Sequence, residues 1–385
     1  MALWPRRRIR APEIKDSRAQ TLVALTTAGR PVWTPRDYEC LAREGFAKNP
    51  VAYRCIRMIA EAAASAPLVV FHEGRRAADH PLQRLIERPN LEQGGPDLME
   101  AFFGSLQTAG NAYFEAASSG AAPDELYVLR PDRMKVIPGR QGWPEAYDYT
   151  VGGRSVRLGR DGDGWLPVLH LRLFNPVDDY YGFSPLEAAA FAIDVHNASG
   201  AWNKALLDNA ARPSGALVYT SRETGDRLTE EQFERLRTEL SDSHQGTLNA
   251  GRPLLLEGGL DWRPMSLSPA DMDFIEGKHA AAREIALAFG VPPQLLGVPG
   301  DNTYANYREA NGAFWRQTVV PLAERAARAM TAWLGVKFPG ARIGVDLDAV
   351  PALSAEREAL WARLEAATFL TTEERRRRMA GLGDA

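Results

Sequence analysis

Cysteine is nearly absent: only Cys40 and Cys55 occur in 385 residues, too few for the disulfide framework of a small secreted fold. The two could bridge in an oxidising compartment, but an intracellular chain keeps them reduced, and Cys55 falls within an apolar helical pattern as a small core residue. Histidine is sparse and scattered, at positions 72, 80, 170, 196, 244 and 279. There is no His-Glu-x-x-His pattern and no cysteine pair beside a histidine, so no metal site is expected. The phosphate loop Gly-x-x-x-x-Gly-Lys-Ser/Thr is missing, and the single Gly-Lys pair, Gly277-Lys278, sits in the middle of a helical pattern; this chain is not an ATP motor. A basic excess is also missing. With 46 Lys and Arg against 49 Asp and Glu, the net charge of −3 argues against a regulator that grips DNA by its phosphates. No apolar run approaches the length of a membrane span. Met1 to Pro5 is followed by Arg6-Arg-Arg-Ile-Arg10 rather than by an apolar stretch, so no signal peptide is expected and the product should be cytoplasmic where it is made.

What is present is a 45% hydrophobic chain able to bury a large core or two to three smaller ones. Its most structured stretch runs from Ser268 to Tyr304. Ser268 stands as an N-cap, Pro269 at the first helical position, and Asp271 where a carboxylate suits the helix dipole. Ile275, Ala282, Ala286 and Phe289 then trace one apolar stripe. Gly290 tolerates a left-handed C-terminal residue, and Pro292-Pro293 forbids continuation. The elbow from Val291 to Gly297 is apolar and stiff, and Val298-Pro-Gly-Asp-Asn302 is turn-like. Taken alone, such a segment is most simply a helix-loop-helix packed in a core.

Around it the pattern is mixed. Residues 1–35 lack periodicity and read as an arm that orders against a neighbour. Helices are expected from Asn49 to Ser65 and from Asp97 to Gly110, with strands at Pro67–Phe71, Ala112–Glu115, Glu125–Leu129, Lys135–Ile137 and Val168–Arg172. That is an α+β body with antiparallel pairings. Ser184, Pro185 and Glu187 open a helix that could run to Ala211, a rod of roughly 40 Å, in which Gly200 marks a kink or a crowded contact. Between Pro213 and Leu267 lies a small α/β module: a strand at Gly215–Tyr219, a helix from Thr229 capped with Gln232, and a hairpin of Pro253–Leu256 with Leu260–Trp262 around Glu257-Gly-Gly259. After the elbow a helix bears Tyr304, Tyr307, Asn311, Phe314, Thr318 and Leu322, and Pro321 must kink or break it. Two short helices, Glu356–Ala367 and Thr371–Met379, close the chain, the second capped by Thr371 and Glu374.

Three acidic groups have ordinary explanations. Asp161-Gly-Asp-Gly164 resembles part of a calcium loop without its closing glutamate, and a hairpin turn explains it better. Asp178-Asp179 reads as a surface-loop pair, and Asp271 with Asp273 as favourable charges at a helix start.

Several segments in fixed order carry a resemblance. They are Asn49-Pro50, Ala66-Pro67-Leu68, His80-Pro81-Leu82, Pro89-Asn90, Gly110-Asn-Ala-Tyr113, Leu129-Arg-Pro131, Tyr181-Gly-Phe-Ser-Pro-Leu186, Arg212-Pro-Ser-Gly215, Glu257-Gly258 and Ile285-Ala-Leu-Ala-Phe-Gly-Val-Pro-Pro-Gln-Leu-Leu-Gly297. Together they resemble the portal proteins of long-tailed double-stranded DNA phages, with the Ala- and Arg-rich composition most similar to portals of prophages and gene transfer agents. The resemblance implies a portal fold in a ring oligomer, usually a dodecamer, at one capsid vertex, serving DNA packaging, ejection and head-tail joining without catalysis or cofactor. It divides the chain into an arm (1–35), a wing (36–183), a stem helix (184–212), a clip (213–268), a second stem helix (269–290), a tunnel loop (291–303), a long kinked helix with a wing return (304–352) and a small helical crown (353–385).

The same resemblance implies that Val291, Pro292, Pro293, Gln294, Leu295, Leu296, Gly297, Val298, Asp301 and Asn302 face the DNA. It implies further that Tyr219, Glu257 and Trp262 serve docking on the clip, and that the partners are the terminase large subunit, a head-tail adaptor, the major capsid protein and double-stranded DNA passing through non-specifically. A near-neutral chain suits such a conduit, because tight phosphate contacts act as friction. The basic runs Arg6–Arg10 and Arg375–Arg378 read equally as solvated termini or as contacts to packaged DNA. Two other classes predict different behaviour: a neck or baseplate ring that conducts no DNA, and a metal-dependent nuclease.

Overall fold

The computed structural model describes residues 33–118, 120–208, 215–219, 229–231, 234, 235, 238, 260–264, 274–299 and 304–379. Residues 1–32 of the expected arm, the Pro253–Leu256 strand, the Ser268 cap, Asp271 and Asp273 therefore lie outside the described residues.

The body begins with α1 (Tyr38–Leu41), which runs into a π turn, and then α2 (Pro50–Ser65). Asn49 caps α2, its Oδ1 accepting from Val51 N and Ala52 N at 3.0 Å each, while Pro50 occupies the first helical position. Its amide nitrogen is also 3.0 Å from Asn197 Oδ1, so this fully buried cap ties the start of α2 to a distant helix. Next come β1 (Leu68–His72), β2 (Arg75–Arg76), α3 (Pro81–Glu87, capped by His80) and α4 (Gly95–Ala109). α2 and α4 pack along their apolar faces, Cys55, Ile56 and Ile59 against Leu98, Phe102 and Leu106. Burial pushes the Cys55 thiol up to about 12, and both cysteines are free, so Cys55 is a packing residue.

Three strands form the sheet under α4: β3 (Asn111–Ala117), β4 (Glu125–Leu129) and a third at Val168–Arg172, all antiparallel with β3 in the centre. Phe114 of β3 stacks on Phe102 of α4 at 4.0 Å, which joins helix to sheet. A second sheet holds β5 (Met134–Pro138), β6 (Pro144–Val151) and β7 (Arg154–Gly159); the strand at Val168–Arg172 is β8. β6 and β7 were not expected, because their burial does not alternate: β6 buries the adjacent residues Ala146 and Tyr147, and β7 is exposed over its first four residues. The third sheet places β1 between β2 and β11 (Ala341–Val345), a strand with no local signal, since its partner lies far back in the sequence.

The Asp161 turn is not a hairpin, because it joins β7 to β8 in different sheets. The Asp161 carboxylate accepts from Asp163 N at 3.0 Å and Trp165 N at 2.8 Å, and Lys337 Nζ lies 2.8 Å from Asp161 and 3.2 Å from Asp163. A lysine occupies the place a cation would take. Asp178 likewise serves its own backbone, accepting from Tyr180 N and Tyr181 N. Among the described residues, no group of three His, Cys, Asp or Glu side chains could hold a metal ion.

The expected rod 184–212 is broken. Ser184 accepts from Leu186 N at 3.0 Å, α5 runs only from Pro185 to Ala188, and Ala189 at φ −83°, ψ −2° interrupts it before α6 (Ala190–Asp208). Gly200 neither kinks α6 nor is crowded: a β-carbon there would meet nothing within 4 Å. In the inserted module the strand β9 (Gly215–Tyr219) pairs antiparallel with β10 (Leu260–Pro264), Tyr219 opposite Leu260 and Trp262 opposite Leu217. Among the described residues, Leu260–Trp262 thus pair with the strand that enters the module. Helical residues at 230, 231, 234, 235 and 238 fall where the helix from Thr229 was expected.

The Gly110-Asn-Ala-Tyr113 and Tyr181-Gly-Phe-Ser184 segments meet as a backbone-to-backbone latch. Gly110 is left-handed at φ +70°, and a β-carbon on it would lie 2.6 Å from the Gly182 carbonyl oxygen; one on Gly182 would collide with the Gly110 carbonyl oxygen. Asn111 Oδ1 accepts from Gly182 N at 2.7 Å and lies 2.9 Å from His170 Nε2. Burial pushes the His170 imidazole down to about 3, so it is neutral here. Ser184 Oγ is 2.8 Å from the Thr108 carbonyl oxygen. Gly182→Ala should therefore cost about 3 kcal/mol or more, since backbone atoms must move, whereas Gly200→Ala should stabilise by up to about 1 kcal/mol. Urea midpoints of the two variants check this contrast.

Candidate functional site

The helix before the elbow, α7 (Phe274–Phe289), buries Ala281, Ala282, Ile285, Ala286 and Phe289 against α6 and α2. Ile275 continues the same stripe but is 67% exposed. The reason is that α6 and α7 both run past the core toward the inserted module, where Ala201, Trp202, Lys204 and Ala205 of α6 are exposed as well. Leu287, on the opposite face, is 79% exposed.

The elbow itself is fixed by hydrogen bonds at both ends. Gly290 (φ +67°) closes a Schellman motif: Val291 N donates to Ala286 O at 2.9 Å and Gly290 N to Leu287 O at 3.0 Å. Thr318 Oγ1 donates to Gly290 O at 2.6 Å, and a β-carbon on Gly290 would lie 3.1 Å from that hydroxyl. The dihedral calls for glycine, and the close approach of the Thr318 hydroxyl adds to that. A single 3₁₀ turn, Pro293–Leu296, follows, with Leu295 N bonded to Pro292 O at 3.0 Å and left-handed Gly297 ending it. Arg283 of α7 then reaches sixteen residues along the chain to donate to Pro299 O at 2.7 Å.

These bonds correct the orientation expected for the apolar side chains. Val291, Leu295 and Val298 are buried, and Val291 and Leu295 belong to the main core beside Phe289 and Phe314. Removing each from water is worth about 1.5–3 kcal/mol, which outweighs any arrangement that displays them. Pro292, Pro293, Gln294 and Leu296 are half-buried, and Gly297 and Pro299 are exposed. Asp301 and Asn302 lie outside the described residues, as does Glu257. The structure brings the β-strands carrying Tyr219 and Trp262 together.

Beyond the elbow, α8 (Tyr304–Phe314) passes into a π turn, Trp315–Val319, and then α9 (Val320–Leu334). The irregularity forced by Pro321 thus falls just before the proline, because a residue without N–H leaves the preceding turn short of a donor. Thr318 sits in that π turn, so the kink is also the elbow's anchor. No sequence motif marked Thr318 or Arg283, whose partners are backbone carbonyls of distant residues. The last helices, α10 (Ser354–Ala366) and α11 (Thr372–Met379), follow the expected pattern, with Thr371 Oγ1 accepting from Glu374 N at 3.2 Å.

A family model described as "Phage portal protein" matches residues 50–379. An uncharacterised protein of Rickettsia bellii (strain RML369-C) is 42% identical over 337 residues, covering 86% of each chain. Two solved structures align over 93% of this chain and 96% of theirs. A chain in the "Neck of empty GTA particle computed with C6 symmetry" is 54% identical with a TM-score of 0.71. One in the "Neck of native GTA particle computed with C12 symmetry" is 53% identical with a TM-score of 0.69.

Thr318→Val removes the bond to Gly290 O while keeping the side-chain shape, at a cost of about 1 kcal/mol. Hydrogen exchange at the Val291 and Leu295 amides should quicken about fivefold with that at Leu106 unchanged; equal exchange at the elbow would show that the bond does not hold it.

Proposed function

The chain belongs to the phage portal protein family, and from that premise we propose that copies of it close into a ring through which double-stranded DNA enters and leaves a capsid. A portal protein needs a collar that touches DNA sterically without binding it. The observation that carries this reading is the elbow held at both ends, whose segment from Val291 to Pro299 contains no charged side chain. Without lysine or arginine it offers no counterion release and hence no strong grip on phosphate. The DNA-facing part is the exposed end of the elbow, Gly297 and Pro299, with Asp301 and Asn302 beyond it. Val291, Leu295 and Val298 hold its base.

The ring is supported by the neck structures solved with C6 and C12 symmetry, and twelve copies is the number this reading adopts. A closed ring needs heterologous interfaces repeated about one axis. In it, residues 36–183 and the return through β11 form the wing. α5, α6 and α7 form the stem, residues 213–268 the clip, and α10 and α11 the crown. The mature location is the portal vertex of a virion or phage-like particle after assembly in the cytoplasm. The terminase large subunit and then a head-tail adaptor dock on the clip through the region of Tyr219, Glu257 and Trp262, and the major capsid protein surrounds the wing. The role is structural and calls for no catalytic residue or cofactor.

Asp301→Lys combined with Asn302→Lys removes one negative charge and adds two positive charges per subunit next to passing DNA. Rings should form as before while the rate of DNA packaging in vitro falls at least severalfold, more steeply at low salt; packaging at the native rate at low salt would remove this segment from the DNA path.

A further inference from the structure

The buried cap of α2 also fixes the state of a histidine. Asn49 Oδ1 accepts from Val51 N and Ala52 N, so the other side of its amide is the NH2 group, which lies 3.0 Å from Asn197 Oδ1 and 3.2 Å from His196 Nδ1. The orientation of Asn197 is settled in turn, because its own NH2 group donates to the Glu44 carbonyl oxygen at 2.9 Å. A donor therefore points at His196 Nδ1. That nitrogen must accept, which places the proton of the neutral ring on Nε2.

A protonated imidazole does not fit this network. With hydrogen on both ring nitrogens, Nδ1 would meet the Asn49 NH2 group donor to donor. Turning the Asn49 amide over would supply an acceptor, but it would aim NH2 at the Val51 and Ala52 amides and an oxygen at Asn197 Oδ1. Three bonds would be lost to save one. Asn49 and His196 are 0% and 6% exposed, so water cannot replace the lost bonds unless the packing opens.

The charges around the ring favour its neutral form. α7 carries Lys278 and His279, both half-buried, and the Lys278 ammonium acts against a second positive charge. The π turn Ala42–Ala47 carries Arg43 and Glu44, but the Glu44 carboxylate is taken by Lys48 at 2.7 Å and Arg43 at 3.5 Å. In α2 the first charge is Arg54, exposed and 3.7 Å from Glu61. On α6 itself, Asp194 accepts from Thr34 N at 3.0 Å. Burial first, and then Lys278, hold the His196 imidazole below its ordinary value.

We infer that His196 is an acid-sensitive clasp between the start of α2 and α6: the neutral ring closes the network, and the protonated ring opens it. An opened clasp takes the proton more readily than a closed one. Closure is therefore at full strength above the ordinary imidazole value of about 6.5, and it weakens as the pH falls below that value. The clasp lies within one chain and does not depend on the ring reading.

The test uses the full-length protein and follows hydrogen exchange at Val51, Ala52 and Tyr53, corrected for the intrinsic rate at each pH. Between pH 7.5 and pH 5.5 their protection should fall about fivefold while that at Leu106 holds. Two histidine-free variants remove the titration. His196→Asn sets an amide oxygen near the place of Nδ1 and should keep the protection of the native protein at both pH values. His196→Gln reaches past that place, so its protection should be low at both. Native protection that is the same at pH 5.5 as at pH 7.5, or an acid-induced loss that persists in either variant, would overturn the inference.

Discussion

The function proposed for this molecule depends on the elbow after α7 being held in place. Gly290 enables it, since its left-handed conformation lets two backbone bonds close the helix and its missing side chain lets the Thr318 hydroxyl approach the carbonyl. Arg283 completes the hold by binding the Pro299 carbonyl from the preceding helix. A collar around moving DNA must keep its radius under load without gripping. On the ring reading proposed above, fixing the base by hydrogen bonds and core packing, and leaving charge out of Val291–Pro299, meets both demands.

The rest of the chain supports that arrangement at increasing distance. α8 and α9 would be one helix but for Pro321, and the π turn ahead of the proline places Thr318 against the elbow. α6 and α7 pack together and carry the chain out to the inserted module and back. The α2–α4 pair and its sheet form the core onto which Val291 and Leu295 are packed. The Gly110–Gly182 latch uses the same physics as the elbow: two backbones approach where side chains are missing, and an asparagine stitches them together.

Much of this was legible because some residues have few uses. Proline after a cap, glycine at a helix end, and a threonine with glutamate three residues later each permit little else, and Asn49-Pro50, Gly290 and Thr371 marked true boundaries. The portal family itself was legible from the order of such segments. What stayed hidden depends on contacts between distant residues. β11 pairs with β1 across most of the chain, and β10 pairs with β9 across the inserted module, so neither partnership leaves a local trace. Apolarity announced that the elbow is special but not which of its side chains are packed inside, and these are Val291, Leu295 and Val298. The break at Ala189 has no breaker residue in the sequence; it follows from the anchored start of α5, whose cap Ser184 is tied to the end of α4.

The most direct measurement is an axial electron cryomicroscopy reconstruction of the purified full-length protein. The account predicts a closed ring in which Pro299 and the residues after it form the narrowest part of a central channel, with α7 and α8 behind them. A ring whose elbow lies at the outer rim, or a protein that stays monomeric at every concentration, would contradict it.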